Sequence, residues 1–248
     1  MKKKILGLGA ICLVIIVFFL LKWAMNTDEK PVLQPVTLRF GWIPDAHQAG
    51  FWVALDKGFY QEKGLDVMLL PGGLDSNPIR EVLTEAADIG QAGGIEQVIS
   101  AVSEGLPIKA IAAIHRDTPH ALISLNRNPI GSEDQLTNKT IAVAHGDAAE
   151  VLLNAFVRKS GIDESKIKFV PFRFDLTPLM GGRVDAVTGF STDQPATLES
   201  KGFHPIVLRY SSLGVSSYGY TLFCKDKTIQ NKRDTVDSFV RASREGWQ

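Results

Sequence analysis

Val36-Thr37-Leu38-Arg39-Phe40 runs directly into Gly41-Trp42-Ile43-Pro44-Asp45-Ala46-His47-Gln48-Ala49-Gly50-Phe51. The first five residues form a short, mostly apolar run and read as a strand. A helix is expected over residues 48–56, with Gly58 ending it. Between the two lies a loop carrying an indole, a carboxylate and an imidazole. Residues 65–70 are the next strand, and Pro71-Gly72-Gly73 the turn after it. A strand, a loop and a helix, repeated along a chain, predict an α/β fold with parallel sheets covered on both faces. In such sheets ligands gather beyond the carboxyl ends of the strands, beside helix N-termini. The informative residues are therefore those that follow strands.

The alternation continues outward from this stretch. Asn77 caps a helix with Pro78 at its first position, and Ile79, Val82, Leu83 and Ala86 form one apolar stripe. Ile95, Val98, Ile99 and Val102 repeat that spacing, and Gly105 ends the helix. Residues 108–114 and 121–125 read as strands. A second series begins after Asn128-Pro129, with a strand over 140–144 and a helix over 147–159 that stops at Gly161. Strands over 167–172 and 185–190, a short helix over 194–200, strands over 205–210 and 220–224, and a final helix on Val236, Phe239, Val240, Ser243 and Trp247 complete it. Two doubly wound lobes are expected: residues 36–125 as the first, 126–217 as the second, and 218–248 returning to the first. Trp247 is still on the apolar stripe at the end, so the chain is expected to be truncated at its C-terminus.

The chain has 248 residues, with 27 basic and 27 acidic side chains, 45% apolar and 22% charged residues. That balance excludes a disordered or disulfide-dense chain and gives no reason to expect nucleic acid as a partner. Four of the basic residues are Lys2, Lys3, Lys4 and Lys22, so without residues 1–25 the remainder carries 23 basic against 27 acidic residues. Lys2-Lys3-Lys4 precede an uncharged run over residues 5–21, the pattern of an export signal. Small-x-small cleavage chemistry is missing after it, which favours an uncleaved anchor over a cleaved signal peptide. Residues 26–35, polar and containing Pro31 and Pro35, read as a linker. The body is expected outside the cytoplasm, in the periplasm, held to the inner membrane by the N-terminal helix. Cys12 lies within the apolar run and Cys224 in the body, so no intramolecular disulfide is expected.

The opening loop, then Ala54-Leu55-Asp56-Lys57-Gly58-Phe59-Tyr60 and Gly64-Leu65-Asp66-Val67, resemble the thiamine-pyrimidine-binding family of periplasmic solute-binding proteins, relatives of sulfonate- and riboflavin-binding components of ABC importers. Ala87-Asp88-Ile89-Gly90, Glu104-Gly105-Leu106-Pro107, Gly182-Arg183-Val184-Asp185-Ala186 and Gly189-Phe190-Ser191-Thr192-Asp193-Gln194-Pro195 extend the resemblance over residues 36–248. It implies a type II periplasmic-binding-protein-like α/β fold, with two lobes joined by a two-strand hinge near residues 121–125 and 220–224. It also implies a cleft that closes on a small molecule, a permease and an ATPase as partners, a monomer, no cofactor and no enzymatic activity. The fungal thiamine-pyrimidine synthases share the fold but carry a cysteine-rich, iron-linked motif that two cysteines cannot supply. A membrane-anchored sensor domain is a further class.

Each candidate has a structural alternative. Trp42 either stacks on a flat ring or packs beside the first helix. His47 either contacts ligand or caps that helix, which Asp45 also can. Gly93-Gly94 either offers backbone amides to a ligand or makes a tight turn. His145 faces the expected cleft while Asp147 caps the next helix. Phe174-Asp175 and Phe190 to Gln194 are the second-lobe candidates. In pyrimidine-binding relatives the latter segment supplies an aromatic, an asparagine and a glutamate. Here Phe190 keeps the aromatic and Asp193 lies near a polar position. Gln194 replaces the glutamate, and a neutral amide cannot stabilise a cationic ring as a carboxylate does. Tyr218 and Tyr220 supply either a ligand face or hinge packing. The expected guest is a flat nitrogen heterocycle held between Trp42 and Phe190. A sulfonate bound through helix N-termini and Ser191, or riboflavin, is the alternative. Phosphate-loop, zinc-protease and nucleophile-elbow motifs are missing from the sequence, and its five histidines show no metal-ligand spacing with cysteine.

Overall fold

Two five-stranded sheets organise the computed structural model, which describes residues 32–248. The expected anchor over residues 5–21 and Cys12 lie outside the described residues. Among the described residues no helix is long and apolar enough to cross a membrane.

The elements in chain order are β1 (Gln34–Arg39), α1 (Ala49–Asp56), α2 (Phe59–Glu62), β2 (Leu65–Leu70), α3 (Pro78–Leu83), β3 (Ile89–Gly94), α4 (Ile95–Ser103), β4 (Ile108–His115) and β5 (His120–Leu125). Then come β6 (Thr140–Val143), α5 (Ala148–Ser160), β7 (Lys168–Pro171), α6 (Thr177–Met180), β8 (Ala186–Phe190), α7 (Gln194–Ser200), β9 (Pro205–Arg209), β10 (Gly219–Lys225), α8 (Asp226–Asn231) and α9 (Arg233–Glu245). The first sheet has the order β2-β1-β3-β10-β4 and the second β7-β6-β8-β5-β9. β1 runs parallel to β2 and β3, while β10 is antiparallel to β3 and β4. The second sheet repeats the scheme, with β6 parallel to β7 and β8, and β5 antiparallel to β8 and β9.

The interior strands β5 and β10 are buried on both faces almost throughout, as near-continuous apolar runs require, whereas the edge strand β2 alternates between buried and exposed residues. On one face of the first sheet Leu38, Phe40, Phe51, Tyr60 and Phe239 form a core, and on the other Val82, Val98, Ile108 and Phe223 do. Full burial of each such side chain contributes about 1.5–3 kcal/mol. Tyr60 stacks on Phe239 with ring centroids 5.4 Å apart and satisfies its buried hydroxyl on Ser243 Oγ at 2.9 Å. α1 and the C-terminal turn approach so closely that a Cβ on Gly50 would collide with the Trp247 ring. In the second sheet Leu153, Phe156 and Tyr210 pack one face, and Phe172, Leu179 and Leu198 the other.

Several expectations shift. Gln34 and Pro35, assigned to the linker, already pair with Leu65 and Asp66. β1 meets β3 only from Leu38 onward, so at position 35 the missing proline N–H breaks no ladder on that side. Residues 121–125, expected at the end of the first lobe, belong to the second sheet, where β5 pairs with β8 and β9. All six residues of β5 are buried, so nothing in the run itself tells which sheet accepts it. The chain leaves the first sheet after His115, crosses over residues 116–119, and returns over residues 210–218. α3 ends at Leu83, before Ala86, because Glu85 turns the chain left-handed at φ 63°. β3, with three glycines in six residues, is a strand that the apolar pattern does not announce.

Candidate functional site

Beyond the carboxyl ends of β1, β3, β6 and β8, the two sheets enclose a cleft of about 350 Å³, within the size range of small-molecule sites. Gly41 and Trp42 follow β1, Gly93 ends β3, Ala144 to Asp147 follow β6, and Phe190 ends β8. Of the seven residues expected to bind ligand, Trp42, Gly93, Phe190, Asp193 and Gln194 line this cleft.

Trp42 is half-buried, and its ring lies 4.4 Å from that of Phe174, which reaches across from the second sheet. Phe174 is left-handed at φ 60° and backed by the Phe172 ring at 5.2 Å. This non-glycine left-handed turn aims the ring at Trp42. Phe190 instead stands among His120, His47 and Tyr220, with ring centroids 4.6, 5.5 and 5.4 Å away. The cleft thus has an aromatic pair at Trp42 and Phe174 and an aromatic cluster around Phe190.

His47 is not among the lining residues. Asp45 Oδ1 accepts the His47 amide at 2.8 Å and faces Nδ1 at 3.2 Å. A carboxylate only accepts, so Nδ1 carries a proton, and in the neutral imidazole Nε2 then accepts from the Thr192 hydroxyl at 2.9 Å. His47 therefore clasps the loop after β1 to the loop after β8. Asp45 caps the short turn 46–48 in a capping box with Gln48, as its position before the helix suggested.

Gly93 presents no free amide to the cleft, because its N–H donates to Gln97 Oε1 at 2.7 Å. Gln97 Nε2 in turn donates to the Gly146 carbonyl at 3.2 Å, a second link between the sheets. The Ile95 amide is taken by the Tyr218 carbonyl. The tight strand-to-helix turn is thus the role that the geometry of Gly93-Gly94 fits. Gln194 lines the cleft but spends both ends of its amide locally: Oε1 accepts the Phe190 amide at 2.6 Å and Nε2 donates to Asp193 Oδ2 at 2.8 Å. It holds the Phe190–Asp193 turn. Tyr218 is 54% exposed and outside the cleft, while Tyr220 is 4% exposed and lines it. Tyr220 lies within β10, which is buried almost throughout, whereas Tyr218 precedes the strand. Burial raises the Tyr220 phenol above its ordinary range.

Asp147 caps α5 as expected, accepting the Ala148 amide at 2.6 Å. Burial holds its carboxyl above the usual range; the Ala148 and Ala149 amides pull it back, and Glu96 and Glu150 add to the rise. His145 lies at the mouth, 2.6 Å from Glu150 Oε1. His120, Gln91 and Thr188 also line the cleft and had no assigned role. His120 is pushed down to about 3, chiefly by burial and then by His115, so it is a neutral imidazole at physiological pH. The lining includes the carboxylates Asp45, Asp147 and Asp193 and no lysine or arginine. Among the described residues no group of three metal-ligating side chains comes together.

The NMT1/THI5-like family model matches residues 45–248. The chain belongs to that family. It is 27% identical over 229 residues to the riboflavin-binding protein RibY of Chloroflexus aurantiacus, covering 88% of this chain and 63% of that protein. It is 25% identical over 243 residues to the formylaminopyrimidine-binding protein of Halalkalibacterium halodurans, covering 96% and 73%. Among solved structures it resembles the periplasmic aliphatic sulphonate binding protein SsuA from Escherichia coli, with TM-score 0.70 and 16% identity over 86% of this chain and 73% of that one. The fold is that of the periplasmic binding proteins. The chain thus spans about two thirds of the length of these relatives.

Proposed function

We propose that the chain is the extracytoplasmic solute-binding component of an ABC importer and captures a flat nitrogen heterocycle such as a thiamine pyrimidine precursor. The observation that carries this reading is the lining of the cleft. Trp42, Phe174, Phe190 and Tyr220 offer aromatic surface from both sheets, and the lining carries three carboxylates with no lysine or arginine. Aromatic surface suits a planar ring, whose burial yields large apolar contact with defined geometry. Carboxylates accept from amino groups and ring N–H groups, and they repel oxyanions. A sulfonate reader would be expected to place a cation or several free amides in the cleft. The amide of Gly93 is already bonded to Gln97, and no lysine or arginine lines the wall.

In this reading the ring enters between the sheets and the loops close over it. Asp193 remains a candidate for the ring edge. His47 and Gln194 act at one remove, the first clasping the loops together and the second shaping the turn that carries Phe190. Closure buries the guest and completes a surface that spans both sheets, which a membrane permease then meets. Isothermal titration of the purified chain against 4-amino-5-hydroxymethyl-2-methylpyrimidine, riboflavin and an alkanesulfonate tests it. Binding of the aminopyrimidine with none of the sulfonate is expected. Sulfonate binding without any heterocycle binding would overturn the assignment.

A further inference from the structure

Gln91 lies on β3 at the base of the cleft and is fully buried. Its amide is oriented by a chain of bonds that starts on the backbone. The Asp45 N–H donates to Gln48 Oε1 at 2.9 Å, which fixes Gln48 Nε2 as the outward donor. Gln48 Nε2 then donates to Gln91 Oε1 across 3.4 Å. Flipping either amide would set two NH2 groups, or a backbone N–H and an NH2, against each other. Gln91 Nε2 is therefore committed as a donor, and it is buried with no partner. On the second sheet the Thr188 hydroxyl is in the same condition, buried in the lining and unpartnered. Leaving such a group unmatched forfeits the hydrogen bonds it made to water, and native interiors rarely leave one without a reason.

We propose that Gln91 is a specificity-determining residue of this cleft, whose Nε2 donates to a hydrogen-free acceptor on the edge of the bound ring, a heterocyclic nitrogen or a carbonyl oxygen. The assignment rests on the reading of the cleft as a heterocycle site and adds what that ring must carry. Asp45, which anchors the same chain of bonds through its backbone, also lines the cleft; its Oδ1 is bonded to His47, so Oδ2 is the oxygen left to accept. The first sheet thus offers a donor at Gln91 and an acceptor at Asp45. A ring with a bare nitrogen and an amino group meets both, whereas a ring protonated at every edge position meets only the second.

The experiment compares the full chain with its Gln91→Met and Gln91→Glu variants. The probes are 4-amino-5-hydroxymethyl-2-methylpyrimidine and the two aminopyridines that each replace one ring nitrogen by CH, titrated calorimetrically. The unmodified protein is expected to prefer the pyrimidine over one of the two pyridines by about tenfold, the worth of one buried hydrogen bond. Gln91→Met is expected to erase that preference. Gln91→Glu keeps an oxygen for Gln48 Nε2 and replaces the donating nitrogen, so it is expected to erase the preference even where Gln91→Met compromises folding, which thermal melts report. A preference that survives in both variants, or no nitrogen-for-CH preference in the unmodified protein, overturns the role of Gln91 alone. Failure of the unmodified protein to bind any of the rings overturns the reading of the cleft and this assignment with it.

Discussion

Thr192→Val removes one hydroxyl and leaves the shape of its side chain. In the structure that hydroxyl donates to His47 Nε2 at 2.9 Å, joining the loop after β1 to the loop after β8. The bond can exist only while the two sheets are drawn together, so it stabilises the closed arrangement and not an open one. A neutral intramolecular hydrogen bond contributes about 0.5–1.5 kcal/mol net. Thr192 is exposed, so water competes for both partners and the lower half of that range applies. A ligand that binds the closed form gains or loses affinity in step with the closed population. The expected result is a Kd raised about two- to fivefold, by the same factor for every ligand, since the hydroxyl is not among the groups that line the cleft. Small-angle scattering of the ligand-free chain should show a larger radius of gyration for the variant. An unchanged Kd with unchanged scattering would refute the clasp. A change that differs between ligands would mean that Thr192 touches the guest.

Two further substitutions probe other parts of the site. Burial raises the folded-state pKa of Asp147, so the native protein holds this proton more tightly than the unfolded chain. The contribution of this group to stability is then greatest below the unfolded carboxylate range and is lost as pH rises through the folded pKa. Asp147→Asn, which keeps an oxygen for the Ala148 amide, should be the more stable form near neutral pH and should flatten that part of a pH series of urea melts. A variant less stable at neutral pH than its parent would contradict the argument. Gly90→Ala would place a Cβ 2.3 Å from Cζ of the fully buried Phe223, and a loss of about 1–3 kcal/mol in thermal or urea melts is expected from the overpacking.

The parts of the fold written in local chemistry were readable from the chain. β2 and α7 have the bounds that their apolar run and flanking turns suggested. Asn77 caps α3 through the Arg80 amide, with Pro78 in the first turn. β3, Ile-Gly-Gln-Ala-Gly-Gly, was not readable. It has one β-branched residue and three glycines, and it is a strand because β1 and β10 pair with it on either side. Phe223 fills the space that the absent Gly90 side chain leaves. The site divides in the same way. Trp42, Phe174 and Asp193 follow strands and Phe190 ends one, and the strand–loop–helix rhythm pointed to them. Gln91, Thr188 and His120 lie inside strands, where a polar residue gives no sign of facing a cavity until the sheets are assembled. Gln194 and His47 were recognisable as polar groups in the right loops, but their partners within those loops decide their roles, and those partners are set by three-dimensional closure.

The path of the chain between the two sheets bears on how they come into being. β5 to β9, the whole of the second sheet, are consecutive in the chain. The first sheet is interrupted: β10 fills the gap between β3 and β4 and pairs Gly219 with Gly94. On a ribosome, every strand of the second sheet has therefore emerged before the last strand of the first. The half that starts synthesis is the half that finishes late, and until β10 arrives β3 and β4 each keep an unpaired edge at the centre of their sheet.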